Sequence, residues 1–224
     1  MIRDIKREIA SMVPTRISKV LDKAIPEDMW NKIEEIRIFK CGSIVICTSN
    51  DRYYVSKNIR LVKNGIHYIT DSMATEEIIK ILTDCSEFAY KYHLTSGYIT
   101  SRFGHRVGFT GRAIIGEGGI TAIKDISAVN KRISKNEDNI NFKTISEIVS
   151  ADKLMNIMIV SPPGCGKTTL VRELARKLSA SESLPSVAIV DERGEICAVD
   201  NGVPWYGMGV NTCIISACPK PLAI

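Results

Sequence analysis

Leu154-Met155-Asn156-Ile157-Met158-Ile159-Val160-Ser161-Pro162-Pro163-Gly164-Cys165-Gly166-Lys167-Thr168-Thr169-Leu170-Val171 runs from an apolar, β-branched stretch through a Pro/Gly turn into helical spacing. Strand, glycine loop and helix in that order make an anion-binding nest. Gly164 and Gly166 let backbone N–H groups curl inward without Cβ clashes. The helix starting near Lys167 adds the positive end of its dipole. The pattern G-x-x-x-x-G-K-[ST] is met with Ser161 in place of the first glycine, a small residue that still fits. The whole loop from Ser161 to Thr169 (Ser161, Pro162, Pro163, Gly164, Cys165, Gly166, Lys167, Thr168, Thr169) is thus expected to hold a nucleoside triphosphate. Lys167 should reach the β- and γ-phosphates, and Thr168 should offer its hydroxyl to Mg²⁺.

Downstream, Lys167–Ser179 reads as a helix and Val187–Asp191 as a second buried strand, the unit of a parallel sheet with crossovers. Asp191 and Glu192 close that strand, 24 residues after Lys167. In many nucleotide hydrolases of this kind the Mg²⁺ aspartate comes from a later strand. The 33 residues after Asp191 contain no apolar strand ending in Asp or Glu. The metal-binding carboxylate is therefore either Asp191 or absent, and Glu192 or Glu195 is placed to orient an attacking water.

Upstream, helices are expected over Ile2–Val20 and Pro26–Glu35, then short strands at Ile36–Phe39, Ser43–Cys47 and Tyr53–Val55. Thr70-Asp71-Ser72 should cap a helix that runs through Glu76 to Cys85, followed by another from Ala89 to His93. Hairpin turns are expected at Phe103-Gly104-His105 and Gly118-Gly119. The polar stretch Ser134–Asn141 is the best linker, and Thr144–Glu147 opens a further helix. The fold class is accordingly α/β: an N-terminal α+β domain over 1–138, then a P-loop NTPase core over 139–224, RecA-like by the family resemblance given below.

Composition fits this reading without adding chemistry. Residues 1–140 carry 22 Lys/Arg against 17 Asp/Glu, and residues 141–224 carry 8 against 8, so the whole net charge of +5 lies in the N-terminal part. That is mild for a nucleic-acid binder, and a basic surface can equally meet a membrane, a partner, triphosphates or only solvent. Nucleic acid is not the expected partner. Seven scattered cysteines without a C-x-x-C pair point to reduced cytosolic thiols. No apolar run approaches the roughly 18 residues that cross a bilayer, and the charged start is not a signal peptide. A cytoplasmic protein is expected.

Ser-Pro-Pro-Gly-Cys-Gly-Lys-Thr-Thr-Leu at 161–170, Val190-Asp191-Glu192-Arg193-Gly194-Glu195-Ile196 and Gly104-His105-Arg106-Val107-Gly108 resemble the stage III sporulation protein AA family. So do Gly111-Arg112-Ala113 and Asp125-Ile126-Ser127 with Arg132-Ile133. The resemblance runs from about Glu34 to Pro219. The family groups with the hexameric secretion ATPases of type II and type IV systems. The resemblance implies an ATP- and Mg²⁺-dependent ATPase at a mother cell–forespore channel, peripheral to the mother-cell membrane. Its partners would be membrane proteins of that channel and further copies of itself, as a hexamer in the family. Asp191, Glu192 and Glu195 would fill the family's acidic box, and Arg106, Arg112 and Arg132 match arginines that reach bound phosphates. The family pattern continues past Cys218-Pro219-Lys220 into a strand ending in Asp-Glu. The chain is therefore expected to be C-terminally truncated and its core incomplete. Two further readings stand beside the motor: a nucleotide-binding or assembly module without turnover, and a nucleic-acid-dependent ATPase.

Overall fold

The computed structural model describes residues 4–86, 90–101, 103–134, 145, 156–162, 165–180, 186–200 and 202–223, with backbone only at Lys91 and Tyr92. Two compact units emerge, Met1–Ser101 with His105–Ser134 and Arg102–Gly104 with Lys135–Ile224. The expected linker beyond Ser134, the helix start at Thr144–Glu147 apart from Ile145, Ala89, Leu154, Met155, Pro163 and Gly164 lie outside the described residues.

The first unit opens with α1 (Ile5–Ala10) and α2 (Thr15–Ala24) where a single long helix was expected. Pro14 explains the break: it stands before α2 in an extended conformation with ψ 144°. Proline has no N–H for the helical ladder, and its ring pushes the preceding residue out of the helical region. Ile9, Ile17 and Leu21 are buried. The helix expected over Pro26–Glu35 is a short 3₁₀ turn, Glu27–Lys32, and β1 (Ile33–Phe39) begins directly after it.

A seven-stranded sheet follows. Its further strands are β2 (Ile44–Thr48), β3 (Arg52–Val55), β4 (Leu61–Val62), β5 (Tyr98–Thr100), β6 (Arg106–Gly116) and β7 (Gly119–Arg132). The order is β4-β3-β2-β1-β7-β6-β5, and every pair is antiparallel. A register shift between Ile33 and Glu35 corrects the phase of β1, so that Ile33, Ile36 and Ile38 all reach the core. Both expected hairpins occur, β5 with β6 and β6 with β7. On this sheet α3 (Ala74–Leu82) packs against β7 and β1, and α4 (Lys91–Thr95) against β7 and β5.

The expected cap of α3 is not made. Met73 occupies the N-cap position with no side-chain cap bond. Asp71 instead accepts the Met73 N–H at 2.8 Å and takes a two-point ion pair from Arg16 at 2.7 and 2.9 Å. Arg16 also reaches Glu77 at 2.5 Å, so one guanidinium ties α2 to the start of α3. That guanidinium holds the Asp71 carboxyl down to about 2. Deeper in the unit Glu8, His105 and Lys131 are all buried. The Ser134 N–H donates to His105 Nδ1 at 3.1 Å, which assigns the ring proton to Nε2, 2.9 Å from Glu8 Oε2.

The second unit contains α5 (Lys167–Ser179), β8 (Val187–Asp191), β9 (Val199–Asp200), β10 (Val203–Pro204) and β11 (Thr212–Ser216). β8 pairs in parallel with β11, and β9 pairs with β10 in a short antiparallel ladder. The strand expected over Leu154–Ser161 is not formed by its described part: residues 156–160 join no ladder, and Met158 and Val160 are 88% and 77% exposed. Apolar, β-branched residues favour extended backbone, but a strand exists only when a neighbour satisfies its N–H and C=O groups. Among the described residues β8 is laddered to β11 and not to this segment. The small core comprises Ala175, Ile189, Cys197, Ala198, Tyr206 and Met208. Gly209, at φ +96°, passes so close to α5 that a Cβ there would stand 2.8 Å from Ser179 Cβ.

Candidate functional site

The loop meets α5 at Gly166, whose φ of +77° is a left-handed conformation that glycine adopts without a Cβ penalty. The first free N–H groups of α5 are thereby turned toward the loop, with the positive end of the helix dipole behind them. Lys167 curls back over the loop. Its Nζ donates to Ser161 O at 2.7 Å, Pro162 O at 2.8 Å and Ser161 Oγ at 3.3 Å. The ammonium is thus fixed inside the loop and not extended into solvent. Thr168 and Thr169 are half-buried in the first turn of α5, and Cys165 is exposed. A Cβ on Gly166 would meet nothing within 4 Å, so its backbone borders open space. The N–H groups of the first turn of α5, the Lys167 ammonium and the Thr168 and Thr169 hydroxyls are donors of the kind that bind a phosphate chain.

Asp191 is 2% exposed. Its Oδ1 accepts the Glu195 N–H at 3.0 Å, and its Oδ2 accepts those of Ile196 at 3.0 Å and Cys197 at 2.8 Å. The carboxylate thus braces the 192–197 turn. Glu192 and Glu195 stay partly exposed on that turn. Cys197 lies at 0% exposure beneath it, and burial, with the Asp191 carboxylate as a smaller influence, pushes its thiol up to about 12.

Arg172 is a neighbour of the candidate site that sequence reading passed over. Its Nε donates to Ile196 O at 2.8 Å and its Nη2 to Glu195 O at 2.9 Å. The guanidinium stacks 3.7 Å from the ring centroid of Tyr206. Its position four residues after Thr168 was the available signal.

The three candidate arginines all belong to the first unit. Arg106 stacks 4.1 Å from the Tyr98 ring centroid, Arg112 pairs with Asp125 at 2.7 Å, and Arg132 is exposed at the end of β7. Among the described residues no cluster of His, Cys, Asp and Glu is arranged to hold a metal by itself. No described helix is long and apolar enough to cross a membrane.

A family model described as sporulation stage III, protein AA, matches residues 3–224. Stage III sporulation protein AA of Bacillus subtilis (strain 168) is 33% identical over 220 residues, covering 95% of this chain and 66% of that protein. Protein SEEDLING PLASTID DEVELOPMENT 1 of Arabidopsis thaliana is 48% identical over 54 residues, 24% of this chain and 8% of that one. Two solved structures overlap more loosely. The ATPase DotB of Legionella pneumophila gives a TM-score of 0.46 at 16% identity, over 92% of this chain and 51% of that one. The VirB11 ATPase from the Brucella suis type IV secretion system, in complex with sulphate, gives 0.30 at 13% identity, over 94% and 63%. Neither overlap is close enough to carry an argument.

Proposed function

Because this chain belongs to the sporulation stage III protein AA family, we propose that it binds ATP with Mg²⁺ at the loop 161–169 and serves a sporulation channel as an ATPase subunit. The observation that carries the reading is the placement of Lys167: an ammonium held by loop oxygens at 2.7 and 2.8 Å, directly after a left-handed Gly166. A triphosphate offers Lys167 stronger acceptors than those carbonyls, because hydrogen bonds between ionised partners are about twice as strong as neutral ones. Lys167 then exchanges Ser161 O and Pro162 O for phosphate oxygens, and the N–H groups of the first turn of α5 bind the same chain. Thr168 is the proposed metal ligand from this loop. When bound, Mg²⁺ neutralises charge on the transferred phosphoryl group.

Glu192 and Glu195 are the proposed groups for orienting water, since the turn that Asp191 folds keeps both partly exposed. Arg106, Arg112 and Arg132 are proposed phosphate contacts from the first unit, suited by the fork of the guanidinium. For Arg112 that role requires release from Asp125. Copies of this chain assembled as a ring, cytoplasmic and peripheral to the mother-cell membrane, and membrane proteins of the channel are the proposed partners.

A second reading, binding or assembly without turnover, is favoured by the exposure of residues 156–160, which leads the loop in without a ladder to fix it. Calorimetric titration with a slowly hydrolysed ATP analogue and Mg²⁺ tests what the two readings share. Micromolar binding that disappears in Lys167→Ala is the expected result. Equal heats from both chains, or none from either, reject the site.

A further inference from the structure

The turn that carries Glu192 and Glu195 is held from two sides. From within, Asp191 accepts three of its N–H groups. From outside, the Arg172 fork takes two of its carbonyls, at 2.8 and 2.9 Å, while its planar face lies on Tyr206, a ring only 3% exposed. Asp191 belongs to the strand that the turn leaves; Arg172 belongs to α5, the helix that the phosphate loop opens. Thr168 and Arg172 are four residues apart and therefore share one face of that helix. A planar guanidinium bonded at two points transmits position in a way that a flexible ammonium does not.

We infer that Arg172 is a positioning residue that couples occupancy of the phosphate loop to the placement of the acidic turn. The inference rests on the proposed binding of nucleotide at that loop. Lys167 and the first turn of α5 must rearrange when phosphates replace the Ser161 and Pro162 carbonyls. A helix is stiff over one turn, so the shift reaches Arg172 and, through its two carbonyl bonds, the segment bearing Glu195. Tyr206 lies under the same guanidinium, and Trp205 is its chain neighbour. Trp205 is 43% exposed and packs edge-on against Phe103 at 4.9 Å, a placement that makes its emission sensitive to movement there. Acidic turn, arginine, tyrosine and tryptophan thus form one mechanical chain with the loop helix.

Tryptophan emission and calorimetry, recorded on the full chain during titration with a slowly hydrolysed ATP analogue and Mg²⁺, test this coupling. The chain has two tryptophans, so Trp205→Phe, which leaves Trp30 alone, is the blank. An emission change that saturates with the calorimetric binding curve and vanishes in the blank is expected. In Arg172→Gln the analogue should still bind, with an affinity altered by the lost coupling, while the emission change is lost. Tyr206→Phe, which keeps a ring beneath the guanidinium, should retain it. If Arg172→Gln does not fold, Arg172→Lys keeps the charge and stem without the fork and is read the same way. A response that persists without Arg172, calorimetric binding abolished in Arg172→Gln, or parent binding with no Trp205 change each overturns the coupling alone. No binding by the parent overturns the nucleotide reading, and the coupling with it.

Discussion

At the scale of single residues, Asp191 shows how one side chain satisfies two readings until its partners are seen. At the end of an apolar strand, followed by glutamate, it has the pattern of a metal ligand. Buried and bonded to three consecutive amides, it is the internal brace of the turn. Hydrogen bonds to a charged acceptor contribute more than neutral ones, and removing the acceptor leaves buried donors unpaired. Asp191→Ala should therefore destabilise the second unit by on the order of 3 kcal/mol in denaturant unfolding. A metal ligand with no bracing role would leave stability unchanged and shift only the Mg²⁺ dependence of nucleotide binding. The placement of Lys167 at the start of α5, directly after Gly166, was legible from spacing alone, because it depends on chain-local geometry. Arg172 was not, because its partners at 195, 196 and 206 are distant in sequence.

At the scale of elements, the tie between α2 and α3 gives a pH-dependent prediction. Asp71 is depressed from 3.8 to about 2 by Arg16, so its folded-state value lies below its unfolded one. The stability it contributes is present above about pH 4 and is lost as pH falls through about 2. Arg16→Ala should return the NMR-titrated Asp71 value toward 3.8, and the stability gap between the two chains should close across that same window. The gap will be small, since both side chains are nearly half exposed and solvent screens the pair. The elements also mark where periodicity suffices. β1 and α3 were readable because alternating or helical apolar spacing coincides with the face each buries, whereas β2 was legible as a continuous apolar run and α5 from helical spacing, although it buries Ala175 and Ser179. The split between α1 and α2 lay in the sequence as Pro14. Residues 156–160 misled, because their apolar character specifies extended backbone and not the neighbour that would complete a ladder. The short β11 was missed for the complementary reason: Thr212-Cys213-Ile214-Ile215-Ser216 is too brief a pattern until β8 lies beside it.

At the scale of the whole molecule, turnover separates the two readings of function. The chain spans 66% of the length of its Bacillus subtilis relative. As a motor subunit it should release phosphate from ATP faster than its Lys167→Ala variant, in a steady-state assay at saturating Mg²⁺. Release at the variant's level, with calorimetric binding intact, would leave the binding or assembly role. The sequence by itself determined the family, the helix that opens after Gly166 and the antiparallel hairpins, because each is written in residues close together along the chain. Only the tertiary structure decided that Asp191 braces a turn, that Arg172 joins the helix α5 to that turn, and that residues 156–160 join no ladder among the described residues. Those outcomes depend on which distant groups satisfy a buried carboxylate, a guanidinium and a row of backbone amides, and hydrogen-bond partners are assigned by the fold and not by spacing along the chain.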